Sequence, residues 1–403
     1  MAEGMSADRQ RVVIAGGGLA GLRTAEELRS RGYQGAITLI GAERRPPYDR
    51  PPLTKKLMTG ELDDTSLAAD FGALGVDARL GEPAISLTGE AVHTGSGVFP
   101  FTAVVLATGA EPVRLPGSGR QRVLRSLDDA LSLRSALRPG IRLAVVGAGW
   151  IGAELATAAI ARGCQVTVLE AAPAPLSGAL GTEAGSVTTR WYEDAGVGLR
   201  LGQPVESVEP GGLALPGGGW LAADEIVTAV GVRPQTGWLA SSGLALDNGV
   251  AVDRRLRASA PGVYAVGDCA AFESRRFGLR LRVEHWDNAL HAPAVAAANI
   301  LGGDESYDPV PYFWSEQFGR MVQYAGHHGA GDRLLWRGDP TEASWAACWL
   351  TGGDGAQPRL TAVLTVGRPR DLLQGRRVIE SQQTVDPGRL ADPAVPVRAA
   401  VAG

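Results

Sequence analysis

The sequence predicts an α/β protein with two Rossmann-like dinucleotide-binding domains of the three-layer ββα type and a smaller α+β domain at the C-terminus. Two copies of the motif GxGxxG predict the dinucleotide-binding domains, one at residues 16–21 and one at residues 147–152. Each copy follows an apolar, strand-like run and begins a helical pattern, which is the context that a dinucleotide fingerprint requires. Alternating apolar and polar residues after residue 305 predict the strands of the smaller domain.

The three glycines of each motif have separate physical roles. The first permits a tight turn, the second lets the backbone approach a pyrophosphate, and the third lets the helix pack closely on the strand. The N-terminus of the helix offers free N–H groups and the positive end of its dipole to the phosphates. One such motif is a weak signal, but two in one chain indicate two bound dinucleotides, as in flavoprotein dehydrogenases.

The first motif belongs to a predicted βαβ unit with strands at 11–15 and 37–40 and a helix at 19–31. The second strand ends before Glu43, whose carboxylate can accept hydrogen bonds from ribose hydroxyl groups. The next segment, 45–55, contains four prolines, which restrict the backbone and make this loop stiff.

The second motif repeats this order, with strands at 141–146 and 165–169, a helix at 151–162, and Glu170 at the end of the second strand. Further helices are predicted at 183–195 and 288–301. The elements group into three predicted domains: a discontinuous first domain at 11–115 and 236–304, a second domain at 116–235, and a C-terminal domain at 305–403.

Composition excludes several classes of partner and site. The net charge is −4 and the pI is about 5.8, so there is no electrostatic argument for binding nucleic acid or a membrane. The N-terminus lacks the apolar segment of a signal peptide, and we expect a cytoplasmic protein. Three cysteines without CxxC spacing and five histidines without metal-ligand spacing predict neither a disulfide framework nor a metal site. We expect Cys269 to be a small buried residue rather than a nucleophile.

The order of the motifs resembles the two-dinucleotide flavoprotein superfamily related to glutathione reductase. These motifs are the first GxGxxG, ATG at 107–109, GxGxxGxE at 147–154, GVRP at 231–234 and YAVGD at 264–268. Within that superfamily, four further segments resemble putidaredoxin reductase-like ferredoxin reductases of bacterial oxygenase systems: PYDRPPLTK at 47–55, LRSLDDA at 124–130, RVEHWDNA at 282–289 and YFWSEQ at 312–317. The resemblance covers nearly the whole chain.

This resemblance implies an oxidoreductase that passes electrons from NADH through FAD to an iron–sulfur ferredoxin, which feeds a cytochrome-type or Rieske-type oxygenase. FAD would bind the first domain and NADH the second. Two alternatives are a reductase of rubredoxin or another carrier, and a redox interaction protein like apoptosis-inducing factor. An NADH oxidase or peroxidase is disfavoured because no cysteine precedes Cys164. A monomer is compatible with the sequence.

The resemblance also implies the residues that contact each cofactor. For FAD they are Gly16, Gly18, Leu19, Ala20, Gly21, Glu43, Arg50, Lys55, Ala84, Ala107, Thr108, Gly109, Arg125, Gly267, Asp268, Glu284, His285, Trp286 and Trp314. For NADH they are Gly147, Gly149, Trp150, Ile151, Gly152, Glu154, Glu170 and Gly231. Because residue 42 is alanine, where family members often have an acid, the ribose contact falls to Glu43 alone.

Lys55 and Glu154 are the predicted catalytic residues. The resemblance places Lys55 near flavin N5 and Glu154 beside the nicotinamide, and a cation at N5 would stabilise the anionic reduced flavin. The alternative is a solvated loop lysine and an ordinary helix glutamate. The chain has 39 basic residues, and Lys55 and Lys56 are its only lysines, which favours a specific role for Lys55.

Glu170 bears on the choice of nicotinamide cofactor. Its carboxylate would accept hydrogen bonds from both ribose hydroxyls and repel a 2′-phosphate, and Ala171 follows where an NADPH site would favour arginine. We therefore expect a preference for NADH.

Two features could contact the electron acceptor. The loop 44–56 carries five basic residues against one acid, and it is either a docking patch for an acidic ferredoxin or a solvated loop. Trp314 is either a core aromatic residue or a side chain at the exposed edge of the flavin.

Overall fold

The structure, a computed structural model, describes residues 10–352 and 358–402 and divides into two compact units. The first unit comprises the described residues up to Asp49 together with 66–111 and 233–311. The second unit comprises 50–65, 112–232 and the described residues from Tyr312 onward.

The strands are, in chain order, β1 Arg11–Ala15, β2 Ala36–Gly41, β3 Val76–Leu80, β4 Ala84–Leu87, β5 Ala91–Thr94, β6 Val98–Pro100, β7 Ala103–Leu106, β8 Ala110–Pro112, β9 Arg142–Val146, β10 Gln165–Leu169, β11 Gly198–Arg200, β12 Ser207–Glu209, β13 Gly212–Leu215, β14 Gly219–Ala222, β15 Glu225–Thr228, β16 Val232–Pro234, β17 Val250–Val252, β18 Val263–Ala265, β19 Ala270–Ser274, β20 Leu279–Arg282, β21 Tyr312–Gln317, β22 Arg320–Gly326, β23 Arg333–Arg337, β24 Trp345–Thr351 and β25 Arg359–Val366. The helices are α1 Leu19–Ser30, α2 Lys56–Thr59, α3 Leu127–Ala136, α4 Trp150–Ala161, α5 Ser177–Ser186, α6 Thr189–Asp194, α7 Trp286–Ile300, α8 Pro369–Ser381 and α9 Pro387–Ala391.

A five-stranded parallel sheet in the order β18-β7-β1-β2-β3 forms the centre of the first unit. Val12 is in register with Ile37 on one side and with Ala103 on the other. The apolar runs of these strands are buried, as expected for a parallel sheet covered on both faces. Helices α1 and α7 pack on each other, and the antiparallel sheet β4-β5-β6 adds Leu87 and Val92 to the same core.

The second unit contains a four-stranded parallel sheet in the order β11-β10-β9-β15 and a small antiparallel sheet, β12-β13-β14. Helix α3 begins with a capping box, in which the Ser126 hydroxyl accepts from the Asp129 amide and the Asp129 carboxylate accepts from the Ser126 amide.

A five-stranded antiparallel sheet, β21-β22-β25-β24-β23, forms the C-terminal part of the second unit. Arg337, the last residue of β23, is fully buried and donates to Asp371 of α8 and to the carbonyls of Leu390, Asp392 and Val395. Its guanidinium therefore ties the C-terminal segment to the sheet. The predicted fold class, two dinucleotide-binding folds followed by a smaller α+β domain, is confirmed.

The prediction of one continuous helix at 183–195 is wrong. Two helices, α5 and α6, occupy this stretch, and the turn between them contains the β-branched residues Val187 and Thr188. Near the end of α5, Gly185 packs closely, because a Cβ there would lie 2.1 Å from the carbonyl oxygen of Pro175. The other predicted helices and strands of the two nucleotide-binding folds occur within a few residues of their predicted bounds.

Candidate functional site

The glycine loop after β1 has the geometry that a bound pyrophosphate requires. Gly16 has φ +133°, and a Cβ there would lie 2.0 Å from the carbonyl oxygen of Ala107. A Cβ at Gly21 would lie 1.9 Å from the Gly16 oxygen, so this glycine allows α1 to pack against the strand end. Gly18, in contrast, has no atom within 4 Å of its Cβ position, and no side chain caps α1 there. Open space and uncapped N–H groups thus meet at one point, where an anionic phosphate would fit.

The loop after β9 repeats this arrangement. Gly147 has φ +105° and faces the carbonyl oxygen of Ala229, and a Cβ at Gly152 would lie 2.0 Å from the Gly147 oxygen. Gly149 is the uncapped N-cap of α4, with nothing within 4 Å of its Cβ position. Both loops therefore fit a dinucleotide by the same steric criteria.

In the first unit, two hydrogen bonds hold the segment that follows β2. The Tyr48 hydroxyl donates to Glu43 Oε2 at 2.6 Å, which orients the predicted ribose-binding carboxylate. The Trp286 indole N–H donates to Asp49 Oδ1 at 2.8 Å, which fixes the first residue of α7. Sequence reasoning did not identify Tyr48 and Asp49 as partners of these side chains.

The remaining predicted FAD residues of the first unit lie at strand ends and helix starts. Asp268 is buried in a 3-10 turn directly after β18, and the turn starts at Gly267, with φ +70°. Burial lowers the pKa of His285, the N-cap of α7, to about 4, so this imidazole is neutral at pH 7. The others are Ala84 at the start of β4, Ala107, Thr108 and Gly109 after β7, and Glu284, which pairs with Arg282.

In the second unit, the Glu170 carboxylate lies against the second glycine loop. Its two carboxylate oxygens accept hydrogen bonds from the amides of Ala148, at 2.7 Å, and Ala172, at 2.9 Å. The first of these amides belongs to the glycine loop itself, so the carboxylate is fixed against that loop. Each carboxylate oxygen can accept a further bond, for example from a ribose hydroxyl.

Lys55 and Glu154 form a buried ion pair within the second unit. Lys55 Nζ lies 2.8 Å from Glu154 Oε2, and the two side chains are 13% and 5% exposed. The structure thus brings together the two predicted catalytic residues, which are far apart in the sequence. Lys56, in contrast, is exposed.

Three polar side chains that the sequence analysis did not identify surround this ion pair. The Thr54 hydroxyl donates to Glu154 Oε2, the Ser315 hydroxyl donates to Oε1 at 2.6 Å, and the Gln317 amide donates to Ser315 Oγ at 3.1 Å. All three are buried. Ser315 and Gln317 belong to the polar run 315–317 of β21, and this run gives no specific sequence signal for a contact with Glu154.

The other predicted site residues of the second unit make contacts of their own, apart from the Lys55–Glu154 ion pair. Arg50 Nη1 donates to the Arg125 carbonyl at 2.5 Å, and Trp314 is half-buried and stacks on Tyr312. The Trp150 ring packs against Phe313 with 4.4 Å between ring centroids. Ile151 is exposed on α4, and Gly231 precedes β16 with φ +106°.

None of the three cysteines has the environment of a reactive thiolate. Cys164, Cys269 and Cys348 are buried, and burial raises the pKa of each thiol. The prediction that Cys269 is a small buried residue is confirmed.

Two glycine loops of one design, each at the carboxyl end of a parallel sheet, define a flavoprotein oxidoreductase with two dinucleotide sites. Residues 10–292 match the family described as pyridine nucleotide-disulphide oxidoreductase, and residues 312–401 match the reductase C-terminal domain. The chain belongs to this pyridine nucleotide-disulphide oxidoreductase family, and its cofactors are FAD and NADH.

Individual relatives are similar over almost their whole length. The ferredoxin–NAD(+) reductase component of the anthranilate 1,2-dioxygenase system of Burkholderia cepacia is 36% identical, with 97% of this chain and 98% of the relative covered. The crystal structure of Fdr9 is 47% identical, with a TM-score of 0.92 over 96% of this chain and 99% of that one. The covalent complex of putidaredoxin reductase with putidaredoxin is 30% identical, with a TM-score of 0.91 over 97% and 98%.

No helix in the described part of the chain is both long and apolar enough to cross a membrane.

Proposed function

We propose that this chain is the reductase component of an oxygenase system, taking electrons from NADH and passing them through FAD to a ferredoxin. The observation that carries this proposal is the pair of glycine loops in a chain whose relatives over nearly their whole length are ferredoxin reductases. The raised pKa values of the buried cysteines argue against the alternative of a thiol-dependent oxidase or peroxidase.

We assign the cofactors to the domains predicted from the sequence, with FAD in 11–115 and 236–304 and NADH in 116–235. FAD supplies two-electron uptake from NADH and one-electron release to an iron–sulfur protein. The protein contributes binding and electrostatics: the glycine loops hold the pyrophosphates, Glu43 and Glu170 hold the riboses, and Asp268 holds the ribityl chain.

We assign the electrostatic role to the Lys55–Glu154 pair. A buried cation stabilises negative charge that develops beside it much more strongly than a solvated one, and the carboxylate keeps the cation in one place. Lys55 is suited to this role because its side chain is largely buried and has Glu154 as a fixed partner at 2.8 Å.

We propose that an acidic ferredoxin docks by charge complementarity. In the loop 44–56, Lys55 pairs with Glu154 and Arg50 donates to the Arg125 carbonyl. The exposed basic side chains of this loop are those of Arg44, Arg45 and Lys56. We place the protein in the cytoplasm, where NADH and ferredoxins are available.

The test of this function is steady-state turnover with a plant-type [2Fe–2S] ferredoxin and, in parallel, with a dye acceptor. Ferredoxin-dependent turnover should fall as salt is raised, because charges are screened beyond about 8–10 Å at moderate ionic strength, while dye reduction should change much less. The Arg44→Glu/Arg45→Glu double variant should raise the KM for ferredoxin and keep dye reduction. Dye reduction without any turnover of iron–sulfur proteins would contradict the proposal.

A further inference from the structure

Strand β21 runs along helix α4 within the second unit, and the spacings of the two elements match. Two residues of a strand advance about 6.6 Å, and one helical turn advances about 5.4 Å, so successive inward side chains of the strand meet successive turns of the helix. Two side-chain contacts follow in order along β21, the Phe313 and Trp150 rings and the Ser315–Glu154 hydrogen bond. Just after the strand, the backbone amide of Phe318 donates to Thr157 Oγ1 at 3.0 Å.

The middle contact controls the orientation of a carboxylate. Lys55 and Thr54 both donate to Glu154 Oε2, and Ser315 donates to Oε1. Donors on both oxygens fix the rotation of the carboxylate plane. With the Ser315 hydroxyl removed, the remaining donors that the structure describes would all bind Oε2. The carboxylate plane could then rotate while it keeps those bonds.

The orientation of Ser315 is itself determined. An ionised carboxylate can only accept hydrogen bonds, so the single hydroxyl proton of Ser315 points to Glu154. The Ser315 oxygen must then accept, and the Gln317 amide nitrogen donates to it at 3.1 Å. Both side chains have no exposed surface. The two bonds satisfy the Ser315 hydroxyl, whereas Gln317 Oε1 has no hydrogen-bond partner among the described residues.

We propose that Ser315, supported by Gln317, is a positioning residue that holds the Glu154 carboxylate against Lys55. The C-terminal domain would thereby set the geometry of the ion pair through these two side chains. The consequence for electron transfer rests on the proposed function of that pair, whereas the positioning itself can be measured separately.

The test uses the fact that this chain has only two lysines, Lys55 and Lys56. The FAD-loaded protein is treated with an N-hydroxysuccinimide ester of acetic acid at neutral pH, and tandem mass spectrometry follows acetylation of each lysine over time. Exposed Lys56 is the internal reference. In Ser315→Ala, Lys55 should be acetylated about three- to tenfold faster relative to Lys56. The reason is that Glu154, the partner of Lys55, loses the charged hydrogen bond from Ser315 that orients its carboxylate.

Two further variants complete the design. Gln317→Met should give a smaller rise in Lys55 acetylation, since it loosens Ser315 but leaves its hydroxyl in place. Thr365→Val is the matched control. It removes a fully buried hydroxyl from the same sheet, and this hydroxyl has no hydrogen-bond partner among the described residues. An unchanged Lys55 rate in both Ser315→Ala and Gln317→Met, or an equal rise in Thr365→Val, would overturn the proposal.

Stopped-flow flavin reduction by NADH separates this inference from the proposed function. Slower reduction in Ser315→Ala, with faster Lys55 acetylation, supports both. Faster acetylation with normal reduction keeps the positioning role and contradicts the electrostatic role that we assigned to the ion pair.

Discussion

Alanine at the second glycine of each loop should remove one cofactor at a time without unfolding the protein. Gly149 has φ −77° and ψ −169°, an extended conformation open to alanine, and its Cβ position has no atom within 4 Å. The free energy of unfolding of Gly149→Ala should therefore fall by at most about 1 kcal/mol, the order of the N-cap preference for glycine over alanine. Gly18 has the same surroundings in the first unit.

The cost should instead appear in binding. A methyl group at Gly149 occupies the space through which the backbone would approach the NADH pyrophosphate. We therefore expect the KM for NADH to rise at least about tenfold, which corresponds to a loss of about 1.4 kcal/mol of binding free energy. Gly149→Ala should retain its FAD. Gly18→Ala should be recovered folded but with little FAD.

The assays are the ratio of flavin absorbance to protein, thermal unfolding, and dye reduction as a function of NADH concentration. Gly152→Ala is the comparison variant, since its Cβ would lie 2.0 Å from a backbone oxygen and α4 would have to move. We expect that variant to lose thermal stability as well as NADH binding. An unchanged KM for NADH in Gly149→Ala would refute the assignment of this loop to the pyrophosphate.

Three further predictions concern selectivity and stability. Glu170→Ala combined with Ala171→Arg should reduce the ratio of kcat/KM for NADH over NADPH, because it removes a negative charge and adds a positive one; an unaltered ratio would contradict the role of Glu170. His285 has a lowered pKa of about 4, so the unfolded state binds its proton first and stability is lost as pH falls from 6.5 toward 4. Between pH 6.5 and 5 the wild type should lose about 1.5 kcal/mol more than His285→Gln in urea unfolding, and equal losses would refute this. Arg337→Met should lower the free energy of unfolding by about 3 kcal/mol, because three carbonyls lose a donor and Asp371 loses one of its two arginine partners and keeps Arg368; a change below about 1 kcal/mol would count against it.

The sequence predicts most of the fold because its main signals are local. Each glycine loop is a short motif at fixed spacing after a buried strand. The atoms that would clash with a side chain at its glycines lie within a few residues in the sequence or at the end of one neighbouring strand. The helix at 183–195 was predicted wrongly because Val187 and Thr188, which lie between the two observed helices, carry no strong helix-breaking signal.

The ion pair shows where prediction from local pattern ends. Lys55 and Glu154 were predicted from a family resemblance, since neither position alone indicates a partner. Thr54, Ser315 and Gln317 were not predicted. Ser315, which accepts from Gln317, reaches Glu154 only when β21 packs along α4, and Thr54 reaches it only when the turn Pro51–Thr54 packs against the same helix. That packing depends on the tertiary fold and leaves no motif of its own.

The most direct test of the central claim is an anaerobic titration of the purified, FAD-loaded protein. NADH should bleach the flavin absorbance with an end point at one NADH per FAD. Oxidised [2Fe–2S] ferredoxin added afterwards should restore the yellow colour, with two ferredoxins reduced per flavin, because NADH carries two electrons and each cluster takes one. A flavin that NADH does not bleach, or that stays bleached in the presence of excess ferredoxin, would contradict the account.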